Sequence, residues 1–269
     1  MREEVKVSII TVGMNHLRFI KELYRSLYDN KTQPKANFEA IYVDNCSKDG
    51  SVEYIKENYP QVRIFENKEK KGFGKNNNFG VSMAQGQYVA LINPDIVLQE
   101  NAIDNLLDYI EKDLSVGIVV PKLLNPDLSI QHSVRSFISL KILFHRVISR
   151  GKDEANNKTT DDYLQKDIDT NLIQPIDWAI GAAFLLSKDF FEELGGFDEA
   201  YFLYLEDEDL CLRTWKMRRK VMYVPESRMI HNHLRASRKI GKKMLFHIKS
   251  MTIFFFKHGI SAKNHEQYK

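Results

Sequence analysis

The chain has 269 residues, 43% of them hydrophobic and 28% charged, enough to bury the core of one large α/β domain, alone or with an appendage. Its start, MREEVKVSII, lacks the long apolar run of a secretory leader, and no uncharged stretch nears the roughly 18–20 residues a membrane-spanning helix needs. The net charge of +3 hides an asymmetry: Arg213 to Lys269 holds 15 Lys/Arg against two acids (+13) and the remainder 24 against 34 (−10), so the C-terminal part should attract anionic partners such as diphosphates, acidic lipid or nucleic acid.

In chain order, VKVSIITV (5–12), EAIYVD (39–44), VRIFEN (62–67) and YVALIN (88–93) read as buried strands, with helices over 17–29, 51–58 and 76–85 between them. That alternation predicts parallel strands joined by crossover helices, with ligands at the C-terminal strand ends. VGIVVPKLL (116–124) is a further strand. The pattern breaks over 133–174, where a basic-apolar piece (137–148) leads into a polar run expected to be mobile. DWAIGAAFLLS (177–187) is predicted as one strand, followed by a helix over 207–219, two short strands (VMYVP and RMIHN), and a basic helix over about 239–258 that carries Phe254, Phe255 and Phe256. Cys46 and Cys211 share no metal-ligand spacing and fit a reducing compartment.

Five segments fall where strands end. In Asp44-Asn45-Cys46-Ser47-Lys48-Asp49-Gly50-Ser51, the Asp and Ser side chains are placed to hydrogen-bond a base or ribose; an ordinary N-capped loop explains the same residues. In Lys71-Gly72-Phe73-Gly74-Lys75-Asn76-Asn77-Asn78-Phe79-Gly80, Asn77 replaces the third glycine of a dinucleotide fingerprint, which argues against a Rossmann cofactor. Its glycines would let the backbone approach a ligand, and the amides of Asn77 and Asn78 would fix it. In Asn93-Pro94-Asp95, Pro94 stops the ladder and presents Asp95 beyond the sheet, where a carboxylate can hold a divalent ion. In Glu206-Asp207-Glu208-Asp209-Leu210-Cys211-Leu212-Arg213, Asp209 and Arg213 pair four apart, while Asp207, at about 100° per residue, points elsewhere and is available as a general base. In Ile230-His231-Asn232-His233, an imidazole can complete the shell of a borderline metal, and Arg235, Arg238 and Lys239 follow to hold a departing diphosphate.

VDNCSKDGS, GFGKNNNFG, LINPD, DWAIGAAFLLS, LGGFDEAYFLYLEDEDLCLR and YVPESRMIHNH, in that order, resemble the family 2 glycosyltransferases, above all their bacterial rhamnosyltransferase-like members, over about 1–132 and 175–258. The resemblance implies a GT-A fold: α/β, with a Rossmann-like, mostly parallel central sheet, helices on both faces and a C-terminal helical segment. The implied organisation is a catalytic domain over 1–238 (nucleotide-sugar half 1–132, mobile insertion 133–174, acceptor-side half 175–238), then a basic amphipathic helix and tail over 239–269. By resemblance Asp44 holds the nucleotide base, with Asn45 and Ser47 beside it, and Thr11 begins the first strand-end loop. Gly72, Phe73 and Asn78 lie near the nucleotide. Asn93 stands where many members carry the first acid of D-x-D, leaving metal binding to Asp95 with His231, or alternatively His233. Gly181 and Ala182 match the acceptor-side strand, Trp178 lines the sugar site, and Glu206 precedes Asp207, the implied catalytic base. Arg238 would bind the donor diphosphate.

The expected reaction is inverting, Mn²⁺- or Mg²⁺-dependent transfer from a UDP- or dTDP-sugar to a glycan or lipid-linked glycan. It would take place in the cytoplasm or at the cytoplasmic face of the inner membrane, with peripheral contact to anionic lipid and no nucleic acid. Two rivals are a nucleotidyltransferase, disfavoured because Thr11–Arg18 lacks a Gly-rich basic loop, and a non-catalytic sugar-nucleotide or nucleic-acid binder. The nucleic-acid binder would need aromatics spaced for stacking, whereas those at 254–256 are contiguous.

Overall fold

The structure is a computed structural model that describes residues 4–148, 158–232, 242–260 and 265–268. The first four strands, β1 (Val7–Gly13), β2 (Phe38–Asp44), β3 (Arg63–Glu66) and β4 (Tyr88–Ile92), alternate with α1 (Leu17–Tyr28), α2 (Ser51–Asn58) and α3 (Phe73–Ser82). Each strand lies within about two residues of its prediction, because β-branched runs bounded by turn residues have no competing period. β5 (Ile96–Leu98), α4 (Ala102–Ile110) and β6 (Val116–Leu124) follow. Next come β7 (Val134–Arg135), α5 (Leu140–Ile148), α6 (Lys158–Tyr163), β8 (Gln174–Pro175), β9 (Trp178–Ala179), β10 (Ala183–Ser187) and α7 (Lys188–Glu193). The chain ends with α8 (Glu206–Lys216), β11 (Lys220–His231), α9 (Lys242–His258) and a 3₁₀ turn at His265–Tyr268.

The main sheet runs β3-β2-β1-β4-β10-β6-β11-β5, with β8 also on β11. β1 pairs in parallel with β2 and β4, as β2 does with β3 and β6 with β11. β10 runs antiparallel between β4 and β6. Alternate side chains of one strand enter opposite cores: Ile9, Ala40 and Ala90 share one with α1, α2 and α4, while Ile10, Ile41 and Leu91 share the other with α3, α8 and the segments around Phe137 and Trp178. The result is the α/β architecture implied by the resemblance.

Three boundaries differ from expectation. The predicted strand 177–187 is two strands in two sheets, β9 pairing with β7 and β10 with β4, because the chain turns tightly where Ala182 N donates to Ile180 O at 2.7 Å. The two strands expected after α8 are one, β11, whose register on β6 shifts between Val224 and Arg228, across Pro225, which has no N–H to give the ladder. Helix α3 begins at Phe73, three residues before its predicted start, so most of the Gly/Asn segment is helix. Within 133–174, Val134, Phe137, Ile138, Tyr163 and Leu164 are buried in the core, and α5 and α6 are helical, so the described part of this segment packs onto the domain.

Candidate active site

The acidic end of α8 is reached through two consecutive left-handed residues, Tyr204 (φ 73) and Leu205 (φ 62). Bulky residues adopt this conformation at a cost of order 1–3 kcal/mol each, and here it swings four acids into the first helical turn. Their negative charge meets the positive end of the helix dipole. They then diverge. Asp209, fully buried, accepts from Arg213 Nε at 2.7 Å and lies 2.7 Å from His258 Nε2, so it pins α9 to α8. Glu208 accepts from Ile138 N and is buried, which pushes its carboxyl well above the usual range.

Asp207 faces the other way. Its Oδ2 accepts from Gly181 N at 2.9 Å, and a side chain at 181 would put its Cβ 3.0 Å from Asp207 Cβ, so any larger residue there would press on Asp207. Burial raises the Asp207 carboxyl above its ordinary value, opposed by the Gly181 and Glu208 amides and by the nearby charge of Arg135. Glu206 is buried with Oε2 lacking a hydrogen-bond partner, and burial raises it further.

From Gly181 the site extends to the other strand ends. Asn93 N donates to Ala182 O at 2.9 Å, which ties the end of β4 to the approach of β10. Two residues on, Asp95 Oδ1 lies 3.5 Å from His231 Nε2, and Asn232 N donates to Asp95 O at 2.8 Å. The segments around 95, 207 and 231 are thus linked through Gly181, Ala182 and Asn93 at one end of the sheet's strands. Among the described residues no cluster of three or more His, Cys, Asp or Glu side chains could hold a metal by protein ligands alone. The Asp95–His231 pair nevertheless fits a hard divalent ion. Such ions bind one or two protein groups at about 2.1 Å and take the rest from phosphate oxygens and water. Two atoms each about 2.1 Å from one ion can be as far as about 4.2 Å apart.

The residues expected on the nucleotide side cluster around the ends of β1 and β2. Asp44 Oδ2 accepts from Ser47 N at 2.9 Å, Ser47 Oγ accepts from Asn15 N at 2.9 Å, and Asn15 Oδ1 accepts from Lys48 N at 2.8 Å, stitching the first two strand-end loops together. Asn45 uses both ends of its amide on the Lys71 backbone, at 2.9 and 3.0 Å.

Other residues expected at the site make contacts within the protein. Thr11 lies inside β1, buried and in register with Tyr42, so the first loop begins only after Gly13. Gly72 brings the backbone close to protein: a Cβ there would lie 3.0 Å from Phe202 O, which accepts from Phe73 N. Phe73 packs edge-on against Phe197, and the Asn78 amide both donates to and accepts from the Phe197 backbone at 2.8 Å. Trp178 is buried and donates its indole N–H to Ser136 O at 2.8 Å, which holds the ring against β7. Arg235, Arg238, Lys239 and His233 lie outside the described residues. Arg135 and Gln131, which sequence reasoning missed, belong to the site's surroundings: Gln131 Oε1 is 2.6 Å from His231 Nδ1.

The Glycosyl transferase family 2 model matches residues 8–195. The chain is 29% identical over 227 residues to the N-acetylglucosaminyl-diphospho-decaprenol L-rhamnosyltransferase of Mycobacterium tuberculosis, an alignment spanning 80% of this chain and 73% of that protein. It is 27% identical over 254 residues to the rhamnosyltransferase WbbL of Escherichia coli K12, spanning 91% and 90% respectively. Among solved structures, GalNAc-T7 with UDP, GalNAc and Mn²⁺ superposes with a TM-score of 0.67 at 18% identity, over 90% of this chain but 46% of that one. The mannosyltransferase PcManGT from Pyrobaculum calidifontis with GDP-Man and Mn²⁺ superposes at 0.63 with 17% identity, over 98% of this chain and 66% of that one. These structural likenesses concern the fold.

Proposed function

Since the chain belongs to glycosyltransferase family 2 and is rhamnosyltransferase-like within it, we propose that it transfers a sugar, rhamnose or another hexose, with inversion, from a UDP- or dTDP-sugar to a hydroxyl of a glycan or lipid-linked glycan. The product belongs to cell-surface polysaccharide synthesis. The observation that carries this reading is the linkage of Asp207, Gly181, Asn93, Asp95 and His231 at one end of the sheet's strands, where β4 and β11 end and β10 begins. In-line displacement needs a base on the acceptor side and charge stabilisation on the leaving side, and these residues supply groups for both.

Asp207 removes the acceptor proton as the oxygen attacks the anomeric carbon, and the leaving diphosphate departs from the opposite face. Gly181 N–H orients the Asp207 carboxylate, and burial makes it a stronger base than an exposed carboxylate. Asp95 and His231 would hold a divalent ion, Mn²⁺ or Mg²⁺, which would supply positive charge for the leaving diphosphate. Asp44 and Ser47 contact the nucleoside. The two relatives named for rhamnosyl transfer, one of them acting on a diphospho-decaprenol glycan, support this choice of donor and acceptor.

Among the described residues no helix is long and apolar enough to cross a membrane. Contact with an anionic lipid surface at the cytoplasmic face is supported by the outer side of α9. There Leu245, Ile248 and Phe256 are exposed beside Lys249 and Lys257, while Phe254 turns inward at 0% exposure. The test is transfer assayed with UDP- and dTDP-sugars on a glycan-diphosphate-lipid analogue. Product with inverted anomeric configuration, lost in chelator and restored by Mn²⁺ or Mg²⁺, is expected; undiminished turnover in excess chelator would remove the metal from the scheme.

A further inference from the structure

We propose that Gln131 is a positioning residue for the metal site: it holds the His231 ring proton on Nδ1, so that the Nε2 lone pair faces Asp95. The proposal rests on the metal reading of Asp95 and His231 given above. It comes from a chain of hydrogen bonds whose directions can be assigned from the chemistry of the groups.

The chain starts in the turn after β6. Ser129 Oγ donates to Asp127 Oδ1 at 2.6 Å, because an ionised carboxylate only accepts. With its proton committed there, Ser129 Oγ accepts from Asn125 Nδ2 at 2.9 Å, and the Ile130 carbonyl at 3.5 Å also requires the NH₂ end of Asn125 on that side. Asn125 Oδ1 must therefore point the other way, towards Gln131 Nε2 at 3.0 Å. Gln131 Nε2 also lies 3.4 Å from His231 O, a second acceptor. A flipped amide would set oxygen against oxygen twice, so the NH₂ orientation is the one the network selects.

Gln131 Oε1 is then the atom 2.6 Å from His231 Nδ1. A carbonyl oxygen only accepts, so Nδ1 carries the proton. In the neutral ring Nε2 consequently presents its lone pair, 3.5 Å from Asp95 Oδ1. Two electron-pair donors directed at each other across that distance are arranged for a shared cation. The backbone holds the support rigidly: Gln131 N donates to Leu123 O at 2.9 Å, and Leu124 bridges Ile130. Outer partners of this kind fix the tautomer and ring orientation of metal-binding histidines, and losing one typically costs 10–100-fold in metal affinity.

Mn²⁺ binding to metal-free protein, read from the free-ion electron paramagnetic resonance signal, tests the proposal. Gln131→Leu should raise the Mn²⁺ Kd by about 10–100-fold with little change in melting temperature, and transfer by that variant should recover as Mn²⁺ is raised. Gln131→Glu, which keeps an acceptor at Nδ1 but gives up the NH₂ contacts to Asn125 Oδ1 and His231 O, should lose less affinity than Gln131→Leu. Wild-type affinity in Gln131→Leu, or equal losses in both variants, overturns the role of Gln131 while leaving the metal site standing. No Mn²⁺ binding by the wild type removes the metal site and this inference with it. Independently of any variant's folding, the ring ¹⁵N spectrum of wild-type His231 should show the proton on Nδ1, and the opposite tautomer overturns the proposal.

Discussion

At Asp207 two opposing influences act on one carboxyl: burial raises its pKa, and the Gly181 amide bonded to Oδ2 restrains the rise. Asp207→Asn keeps an oxygen for Gly181 N–H and removes the base, so kcat should fall by about 10²–10⁴ while donor binding, followed by nucleotide-sugar thermal shift, stays intact. Full turnover in Asp207→Asn would transfer the base role elsewhere. In the wild type, kcat/KM should decline on the acid side with an inflection above the ordinary aspartate value of about 3.9, since the protonated carboxyl cannot accept the hydroxyl proton. Sequence position exposed Asp95, Asp207 and His231 as candidates because each follows a strand or opens a helix in a pattern with a physical reading. Gln131 escaped because its partner His231 is 100 residues away and the network joining them has no local period. Trp178 and Asn78 were assigned to substrate since an aromatic or an amide reads alike whether its partner is a sugar or a backbone group, and here the partners are Ser136 and Phe197.

Among the elements, α9 presents apolar side chains on two sides, and only one side meets the domain. Phe254 is fully buried and packs at 4.9 Å from the His258 ring, whereas Phe256 is 91% exposed. The run Phe254-Phe255-Phe256 looked contiguous in sequence, but helical rotation divides it between core and surface. Phe254→Ala should therefore lower stability by about 3–5 kcal/mol, measured by denaturant unfolding. Replacing Leu245, Ile248 and Phe256 together by serine should leave unfolding nearly unchanged and abolish flotation with anionic vesicles at low salt. Retained flotation would show that lipid contact does not use this face. The parallel strands were legible for the reason their prediction worked: buried runs on both faces leave few polar interruptions. The break at Ile180–Ala182 was not, because the stretch WAIGAAFLL between Asp177 and Ser187 has no polar side chain and only Gly181 hints that it changes sheets. Helix α4 carries Ile103, Leu106, Leu107 and Ile110 at helical spacing and was legible though unread, while α7, at six residues, is too short for a period to declare itself.

For the molecule as a whole, the buried carboxyls set the direction of its pH response. Burial raises Glu206, Asp207 and Glu208 in the folded state. Between the unfolded values near 4 and the raised folded ones, the native protein binds more protons than the unfolded chain, so stability falls as pH rises through that window. Carboxyls held low, such as Glu39 and Asp49, act oppositely at lower pH, where protonating them weakens the fold. Denaturant midpoints should thus rise as pH is lowered from about 7 towards 5, and Glu208→Gln should flatten that slope; an unchanged slope would assign the response to other groups. The antiparallel strand β10 carries a consequence for synthesis. It separates β4 from β6 in the middle of the sheet, yet it is encoded some 60 residues after β6. A nascent chain that has left the ribosome as far as residue 132 leaves β4 open on one side and β6 on both, because β10 and β11 are still to come. Residues up to 187 close the gap between β4 and β6, but β6 and β5 are joined only when β11 emerges, at residue 231, and until then the open edges invite pairing with other chains.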